Sequence, residues 1–408
     1  MNYWKSVASV LTGTVIAQVI PVVGSLVIAR LFAPSDFGVF SAWLGVAMLV
    51  GVLLTCRFDM ALAIEEDGEP RQRAVWAVII AVMIITTIVT ICLLAVYLWL
   101  PHLLSNYSTD LIMTLIPMAL LFAASNLWQL WAAAEGEYYK LNYMRIVQAA
   151  LVTLFQIAAG MLLNSAVALA ISQLLGVLFA FVFSVWLMPL GKPKFRNFKA
   201  KIFAFWFRHR NFPMFSLPAD FISTAAAQLP VLIVASRFGA DNAGLLAMTM
   251  KVLGAPIGLL GKSVLDVFRR HAAQSYRNRG ECKEEYLRTL KVLTLGSAVF
   301  CLFMMFASEP LFVIGFGEEW TGAGTIAVWL LPLFALRFIA SPLSYMVYIA
   351  EKQHLDLLWQ CSLLSMTLFT LGLLFNFEKA LLVYSFGYSA LYLAYLAMSY
   401  RFSLGVKS

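Results

Sequence analysis

The sequence predicts an all-α polytopic membrane protein, with about 12 transmembrane helices in two six-helix lobes related by an internal repeat. Hydrophobic residues make up 62% of the 408 residues and charged residues only 12%, whereas a soluble domain is about a quarter charged. Apolar runs of about 20 residues, enough to cross ~30 Å of hydrocarbon, recur along the chain. A segment near the start also recurs half a chain later. Together these observations exclude an ordinary soluble protein.

The apolar runs give the order of the predicted spans. The first lobe contains 8–31, 39–63, 75–99, 111–134, 146–162 and 168–189, and the second contains 212–235, 243–268, 291–310, 325–350, 357–375 and 381–399. The resulting division is a first lobe at 1–190, a basic linker at 191–211 and a second lobe at 212–408. The last two spans carry almost no internal charge, so we expect them to be peripheral and to face lipid.

The internal repeat lies in two apolar hairpins with polar turns, residues 28–42 and residues 234–248. The aligned pairs are Ala29 with Ala235, Phe32 with Phe238, Asp36 with Asn242, and Gly38 with Gly244. The shift is about half the chain length, as expected for transporter halves related by a parallel repeat. Chance similarity of two apolar hairpins is the alternative.

Basic residues are distributed unevenly between the two sides of the predicted membrane. The formal net charge is +8, and most Lys and Arg fall in inner loops and termini when the N-terminus is placed inside. The positive-inside rule therefore predicts that both termini are cytoplasmic. This balance reflects topology and the cytoplasmic lipid surface, and we expect no nucleic acid partner. The inner loop 65–73 mixes both signs and is predicted to be solvated.

The linker 191–211 combines cations with aromatic residues. Phe195, Phe198, Ile202 and Trp206 recur at roughly helical spacing, with Lys and Arg between them. This pattern predicts an amphipathic helix that lies on the cytoplasmic leaflet and joins the halves. RNA binding is the alternative for a basic aromatic run, and the position between membrane spans argues against it.

Ionisable side chains inside the apolar runs are the candidate functional residues, because each costs several kcal/mol unless it faces a polar cavity or a partner. The cations are Arg30, Arg57, Lys251, Lys262 and Arg337, and the carboxylates are Asp59, Asp220 and Asp266. Arg337 is the most centrally placed charge in the chain. A guanidinium at that depth does not easily reach either membrane surface, so we expect it to face an interior cavity.

Two of these positions admit more than one interpretation. Arg57 and Asp59 are two residues apart, so in a helix they would not share a face. Arg57 either snorkels to the lipid headgroups or faces a cavity. Asp220 is either a proton or sodium site or an ion partner for Lys251 or Lys262.

The fourth span carries polar and aromatic residues on shared faces. Asn126 and Gln129 lie close enough in sequence to share a face, as do Trp128 and Trp131. Amide and indole groups suit contact with a sugar, and they equally suit packing between helices or the lipid interface.

Catalytic and cofactor motifs are missing from the sequence. The five cysteines and four histidines are scattered, without metal-ligand or disulfide spacing. No P-loop, G-x-S-x-G or H-E-x-x-H motif occurs, and no outer loop is large enough for an extracytoplasmic catalytic domain. We therefore expect no metal, no cofactor and no enzymatic activity.

Several short motifs together resemble the polysaccharide flippases of the Wzx type, in the multidrug/oligosaccharidyl-lipid/polysaccharide exporter superfamily. The motifs are Asn211 to Pro213, Pro218, Leu229 with Pro230, Phe238 with Gly239, Ala243 with Gly244, Pro256, and residues 30–38, 57–59 and 145–148. The resemblance covers essentially the whole chain. It implies translocation of an undecaprenyl-pyrophosphate-linked oligosaccharide, such as an O-antigen unit of lipopolysaccharide, across the bacterial inner membrane by alternating access.

The resemblance also implies roles for the candidate residues. A pyrophosphate or acidic sugar is anionic, and Arg and Lys bind such groups well, so the candidate cations are expected to bind substrate. Asp59, Asp220 and Asp266 are expected to couple transport to a proton or sodium ion, as in an antiporter. Under the half-chain shift Arg57 nearly matches Lys262, and Asp59 matches Asp266 less well. The expected partners are the lipid-linked oligosaccharide, membrane lipids, and polysaccharide polymerase and chain-length proteins.

Other functions remain as alternatives. A multidrug exporter of the same superfamily would want acidic residues deep in its spans to attract organic cations, and here several cations compete with Asp220. A lipid II flippase is closer, but relatives of that kind usually have two extra spans. A lipid-linked sugar polymerase or glycosyltransferase would need a sizeable outer loop with catalytic residues.

Overall fold

The computed structural model describes residues 3–99, 108–191, 198–258, 262–350 and 352–405, and no strand occurs in these ranges. The first half contains α1 (Tyr3–Leu31), α2 (Pro34–Leu54), a 3-10 turn (Phe58–Ala63), α3 (Glu69–Trp99), α4 (Thr109–Ala134), α5 (Tyr138–Leu162), α6 (Ala166–Leu187) and α7 (Phe198–Arg208). After a π-helical turn (Phe212–Ser216), the second half contains α8 (Leu217–Phe238), α9 (Ala240–Pro256), α10 (Lys262–Arg279), α11 (Lys283–Phe316), α12 (Thr321–Leu343), α13 (Met346–Ile349), α14 (Gln353–Leu373) and α15 (Phe377–Ser403).

Within the described ranges, 10 helical segments are long and apolar enough to cross a membrane, by length and composition. They correspond to all of the predicted spans except the first, 8–31, and the eighth, 243–268. Within the first predicted span, Val15–Leu31 is an apolar helical segment that is shorter than the ten. The prediction of an all-α polytopic membrane protein is confirmed.

The chain forms two compact units. The first unit comprises Met1–Phe32 and Val39–Gln228, and the second unit comprises Ala33–Gly38 and Leu229–Ser408. Both α2 and α8 therefore contribute residues to each unit. The lobe and linker boundaries drawn from the sequence stay a prediction.

One predicted span is interrupted, which corrects the sequence-based assignment. The span predicted at 39–63 leaves the α-helix early, because Cys56 and Arg57 have φ angles of 45° and 57°. Such left-handed residues cannot continue a right-handed helix. The span predicted at 243–268 contains α9 and the start of α10, and residues 259–261 between them lie outside the described part of the structure.

Gly38 and Gly244, which the repeat aligns, lie at a close backbone crossing within the second unit. A Cβ atom on Gly38 would lie 1.9 Å from the Ala240 carbonyl oxygen, and a Cβ atom on Gly244 would lie 1.8 Å from the Pro34 carbonyl oxygen. The same alignment pairs Pro34 with Ala240, so the two contacts are reciprocal. Only glycine allows helix backbones to approach this closely. The reciprocity supports the internal repeat.

One face of the last helix, α15, is buried in the second unit. Tyr384, Tyr388, Tyr392 and Tyr395 lie on this face, each less than a tenth exposed. Their spacing of three or four residues places them in one stripe along the helix. Val383, Phe386 and Leu393 of the same helix are exposed. The expectation that the last two spans are peripheral and face lipid stays a prediction, to which the structure adds a buried tyrosine face on α15, where the rings combine apolar bodies with polar tips.

The linker helix α7 packs against α3 through one face. Trp206 Nε1 donates a hydrogen bond of 3.1 Å to the Ala77 carbonyl oxygen, and Ile202 is buried. Phe203 and Phe207 are exposed. The predicted helix is present at Phe198–Arg208 with two distinct faces, and Phe195 lies outside the described residues. Its contact with the cytoplasmic leaflet stays a prediction.

The loop 65–73 is not simply solvated, contrary to the prediction. Arg71 is only 5% exposed, and its guanidinium donates to the carbonyl oxygens of Leu62 at 3.0 Å and Glu65 at 2.8 Å. The Glu65 carboxylate lies 2.7 Å from His209 Nε2. These contacts tie the loop to the 3-10 turn on one side and to the segment after α7 on the other.

Candidate functional site

A group of charged and polar side chains converges in the first unit. It consists of Arg57, which precedes the 3-10 turn, Asp59 within that turn, Asn126 of α4 and Asp220 of α8. These residues come from three separate parts of the chain. We refer to the four residues as the charged cluster.

Arg57 and Asp59 are brought together by the break after α2. Arg57 Nη1 lies 3.8 Å from Asp59 Oδ2. In a continuous helix the two side chains would diverge. The left-handed conformation of Arg57, with φ 57° and ψ 16°, removes that constraint. Arg57 is therefore paired with a carboxylate, and the choice between the lipid headgroups and a cavity for its guanidinium stays a prediction.

Asp220 is the second carboxylate beside the same guanidinium. Its Oδ2 lies 2.6 Å from Arg57 Nε. The sequence left Asp220 as either a proton or sodium site or an ion partner for Lys251 or Lys262, and the partner observed in the structure is Arg57. The break after α2 explains why Arg57 was not expected, because a continuous helix gave no reason to turn Arg57 toward the start of α8.

Asp59 is the most deeply buried member of the charged cluster. Its side chain has no exposed surface, and its Oδ2 accepts a hydrogen bond of 2.9 Å from Asn126 Nδ2. Asp59 lies between the candidate spans, which end at Thr55 and resume at Glu69. Burial raises the pKa of Asp59, although the Arg57 charge and a hydrogen bond from Thr55 act in the opposite direction.

Exposure increases across the charged cluster from one carboxylate to the other. The side chains of Asp59, Arg57 and Asp220 are 0%, 15% and 38% exposed. Two carboxylates share one guanidinium, so the ionised cluster carries a net negative charge. In a poorly solvated site this excess charge favours uptake of one proton or one small cation. The arrangement is therefore chemically suited to bind and release a single positive charge.

The polar residues of α4 divide between the charged cluster and helix packing. Asn126 contacts Asp59, whereas Gln129 Nε2 donates to Gln148 Oε1 at 2.9 Å. Trp128 is buried, and its Nε1 donates to the Met188 carbonyl oxygen at 3.1 Å. The packing interpretation of Gln129 and Trp128 thus has direct structural support.

The second unit holds two half-buried cations on its helices, Lys251 of α9 and Arg337 of α12. Among the described residues, neither has a carboxylate within 4.0 Å. The Arg337 Cζ atom lies 5.8 Å from the centre of the Phe334 ring.

Three predicted site residues remain, Arg30, Lys262 and Asp266. Arg30, at the end of α1, is exposed. The side chains of Lys262 and Asp266, at the start of α10, lie outside the described part of the structure. In the described part of the chain, no three His, Cys, Asp or Glu residues are grouped so that they could hold a metal ion.

Solved structures of membrane transporters share this fold. The lipid II flippase MurJ, in an inward closed conformation, aligns with a TM-score of 0.74 and 13% identity, covering 96% of this chain and 87% of that chain. The MATE multidrug transporter DinF-BH, solved as a complex, aligns with a TM-score of 0.64 and 14% identity, covering 97% of this chain and 94% of that chain. An inward-facing MATE family transporter of the MOP superfamily aligns with a TM-score of 0.61 and 13% identity, covering 97% of this chain and 94% of that chain. At these identities the likeness establishes the fold alone.

Sequence comparison identifies the family. A search of curated proteins found no match. The family profile described as polysaccharide biosynthesis protein matches residues 27–324, well over half of the chain. The resemblance to Wzx-type flippases noted from the sequence agrees with this profile and with the shared fold. The chain is a multi-pass membrane protein that belongs to the polysaccharide biosynthesis protein family.

Proposed function

We propose that the protein flips an undecaprenyl-pyrophosphate-linked oligosaccharide, such as an O-antigen unit, across the bacterial inner membrane by ion-coupled alternating access. The family and the fold support membrane translocation of a lipid-linked substrate. The observation that carries the proposal is the division of charge between the two units. In the first unit Arg57 is paired with two carboxylates, Asp59 and Asp220. In the second unit, Lys251 and Arg337 have no carboxylate partner in the described structure.

The proposed substrate contacts are the cations without carboxylate partners. Lys251 and Arg337 are half-buried in the predicted spans 243–268 and 325–350, and an unpaired positive charge inside a membrane is unfavourable. A pyrophosphate would neutralise both, through the charge-assisted hydrogen bonds that Arg and Lys make to phosphate oxygens. Arg57 is already held by Asp59 and Asp220. In this proposal Arg57 therefore organises the ion site rather than binding the headgroup first.

The proposed coupling site is the charged cluster. Its excess negative charge would be neutralised by one proton or sodium ion when no substrate is bound. The empty protein would then return with the ion bound, which gives antiport with the substrate. Both termini face the cytoplasm in this proposal, so the sugar headgroup enters from that side while the lipid tail stays in the bilayer.

The experiment that tests this function measures lipid-linked oligosaccharides in host cells lacking the gene. We expect complete units to accumulate on the cytoplasmic leaflet and surface polysaccharide to be lost. A wild-type copy should restore export, and so should the exposed-site control Lys379→Gln at equal expression. Units that reach the periplasmic face but stay unpolymerised would contradict the proposal and favour a polymerase.

A multidrug exporter is the second candidate function. The fold shared with the multidrug transporter DinF-BH and the excess of carboxylates in the charged cluster favour it. A drug exporter would leave the lipid-linked pool unchanged in the deletion strain and would change its drug sensitivity. The same cells therefore distinguish the two functions.

A further inference from the structure

A cavity of about 590 Å³ lies in the second unit, between α10 and the short helix α13 with the residues that flank it. The described residues that line it are Ala273, Tyr276, Arg277, Tyr345, Tyr348, Ile349 and Ala350. Three of them are tyrosines, one is a cation and none is a carboxylate. Cavities of this size commonly bind small molecules. Neither the charged cluster nor the pair Lys251 and Arg337 contributes to it.

The tyrosines form a preformed aromatic wall. The ring centres of Tyr345 and Tyr348 lie 5.5 Å apart, with their planes inclined by 31°. Tyr345 and Tyr276 also pack against the buried core around Phe268, which fixes their positions, while Tyr348 is 47% exposed. A pyranose ring has an apolar C–H face and hydroxyl edges, so it suits rings that combine an apolar face with a polar tip.

Arginines on one face of α10 supply the positive charge. The Arg269 Cζ atom lies 4.8 Å from the centre of the Tyr345 ring. Arg277, two turns further along α10, is exposed at the cavity and has no carboxylate within 4.0 Å in the described structure. A guanidinium binds phosphate oxygens through paired hydrogen bonds. The cavity therefore combines a surface for a sugar ring with a group for a phosphate.

We infer that this cavity binds the sugar-phosphate headgroup of the lipid-linked substrate on the cytoplasmic side, before the headgroup reaches Arg337. The inference rests on the proposed function. Residues 269–290 are predicted to be cytoplasmic from the distribution of basic residues. Tyr345 follows Arg337 by eight residues, or about 12 Å of helix axis, so the cavity and Arg337 would contact the headgroup in succession.

The test measures binding of four soluble probes to the full chain in nanodiscs by saturation-transfer difference NMR. The probes are the 1-phosphates of glucose, galactose, N-acetylglucosamine and N-acetylgalactosamine, with inorganic pyrophosphate for comparison. We expect at least one sugar phosphate to bind wild type more tightly than pyrophosphate does. Tyr348→Ala and Arg277→Gln should each raise its Kd about tenfold. Tyr348→Phe, which keeps the ring, and Lys283→Gln, an exposed cation outside the cavity, should bind as wild type does.

Several outcomes would overturn the inference. They are the absence of binding by all four sugar phosphates, equal Kd values for wild type and Tyr348→Ala, or pyrophosphate binding as tightly as the sugars. Thermal unfolding of each variant identifies any loss of binding caused by misfolding, and Arg277→Gln, at an exposed residue, still tests the cavity if Tyr348→Ala does not fold. If wild type exports lipid-linked units without binding these probes, this inference alone fails. If wild type exports no such units, the proposed function itself fails.

Discussion

The Asp220 carboxylate lies 2.6 Å from the Arg57 guanidinium, although one residue begins α8 and the other follows the end of α2. Asp59 approaches the same guanidinium from the 3-10 turn at 3.8 Å. One cation thus connects a buried carboxylate with a more accessible one. This connection is the physical basis for assigning ion coupling to the charged cluster.

Removing the Asp220 charge should abolish coupling with little loss of stability. Asp220 is 38% exposed, so its ion pair contributes about 1 kcal/mol or less to folding. In Asp220→Asn, Arg57 and Asp59 neutralise each other, and the site has no excess charge to attract a proton. We expect transport to become insensitive to the ion gradient and to fall at least tenfold, or about 1.4 kcal/mol.

The measurement is uptake with and without an imposed gradient. Glu378→Gln, an exposed carboxylate on α15, is the control, and gradient-dependent transport by Asp220→Asn would refute the assignment.

The stability of the protein should depend on pH through Asp59. Burial raises the pKa of Asp59, so the folded state favours its protonated form. The stabilisation from this group is therefore fully present below the unfolded pKa and is lost as pH rises through the folded pKa. We expect the Tm of wild type to be higher at about pH 4.5 than at neutral pH. The Tm of Asp59→Asn should rise less over the same range. Thermal unfolding of both proteins across this range gives the comparison. If the Tm difference between wild type and Asp59→Asn stays constant with pH, the prediction is wrong.

Substitution of either repeat-related glycine should destabilise the second unit. A Cβ atom at Gly38 or Gly244 would overlap a backbone carbonyl oxygen at 1.9 Å or 1.8 Å, and backbone cannot move aside as a flexible side chain does. We expect Gly38→Ala and Gly244→Ala each to cost about 1–3 kcal/mol or more. Gly372→Ala is the matched control, because nothing lies within 4 Å of its added Cβ. It should be neutral or slightly stabilising. Equal Tm values for all three variants would show that the crossing is looser than described.

Neutral substitutions at Lys251 and Arg337 should impair substrate binding. We expect Arg337→Gln and Lys251→Gln each to raise the substrate Kd about tenfold or more, because each removes charge-assisted hydrogen bonds to phosphate. Arg337→Lys should recover part of the affinity by keeping the charge. Titration of purified protein with a lipid-linked oligosaccharide measures this. Intact binding and transport after both neutral substitutions would remove these residues from the site.

The fold was largely accessible from the sequence, because long apolar runs and the distribution of basic residues are direct consequences of a bilayer. The repeat also predicted which glycines correspond, and Gly38 and Gly244 lie in reciprocal contacts. The interruption after α2 could not be predicted from the sequence. No glycine or proline stands at Cys56 or Arg57 to indicate a break, although both residues adopt left-handed conformations. The same interruption decides the partners of Arg57, so the charged cluster could not be assembled from spacing alone.

The polar face of α15 had a signal that charge counting overlooked. Tyr384, Tyr388, Tyr392 and Tyr395 follow helical spacing, which indicates a common face. Tyrosine is scored as apolar in such counts, although its hydroxyl needs a partner when buried. Spacing of tyrosine and serine along a predicted span would have identified this face as packed inside the unit.

Flipping can be measured in proteoliposomes that contain the purified protein and a fluorescent undecaprenyl-pyrophosphate-linked oligosaccharide. A membrane-impermeant sugar-modifying enzyme reports the fraction of headgroups in the outer leaflet over time. We expect wild type to equilibrate the headgroups between leaflets, faster with an imposed ion gradient, and Arg337→Gln not to do so. Headgroups that stay in their original leaflet with active, folded wild-type protein would contradict the flippase assignment.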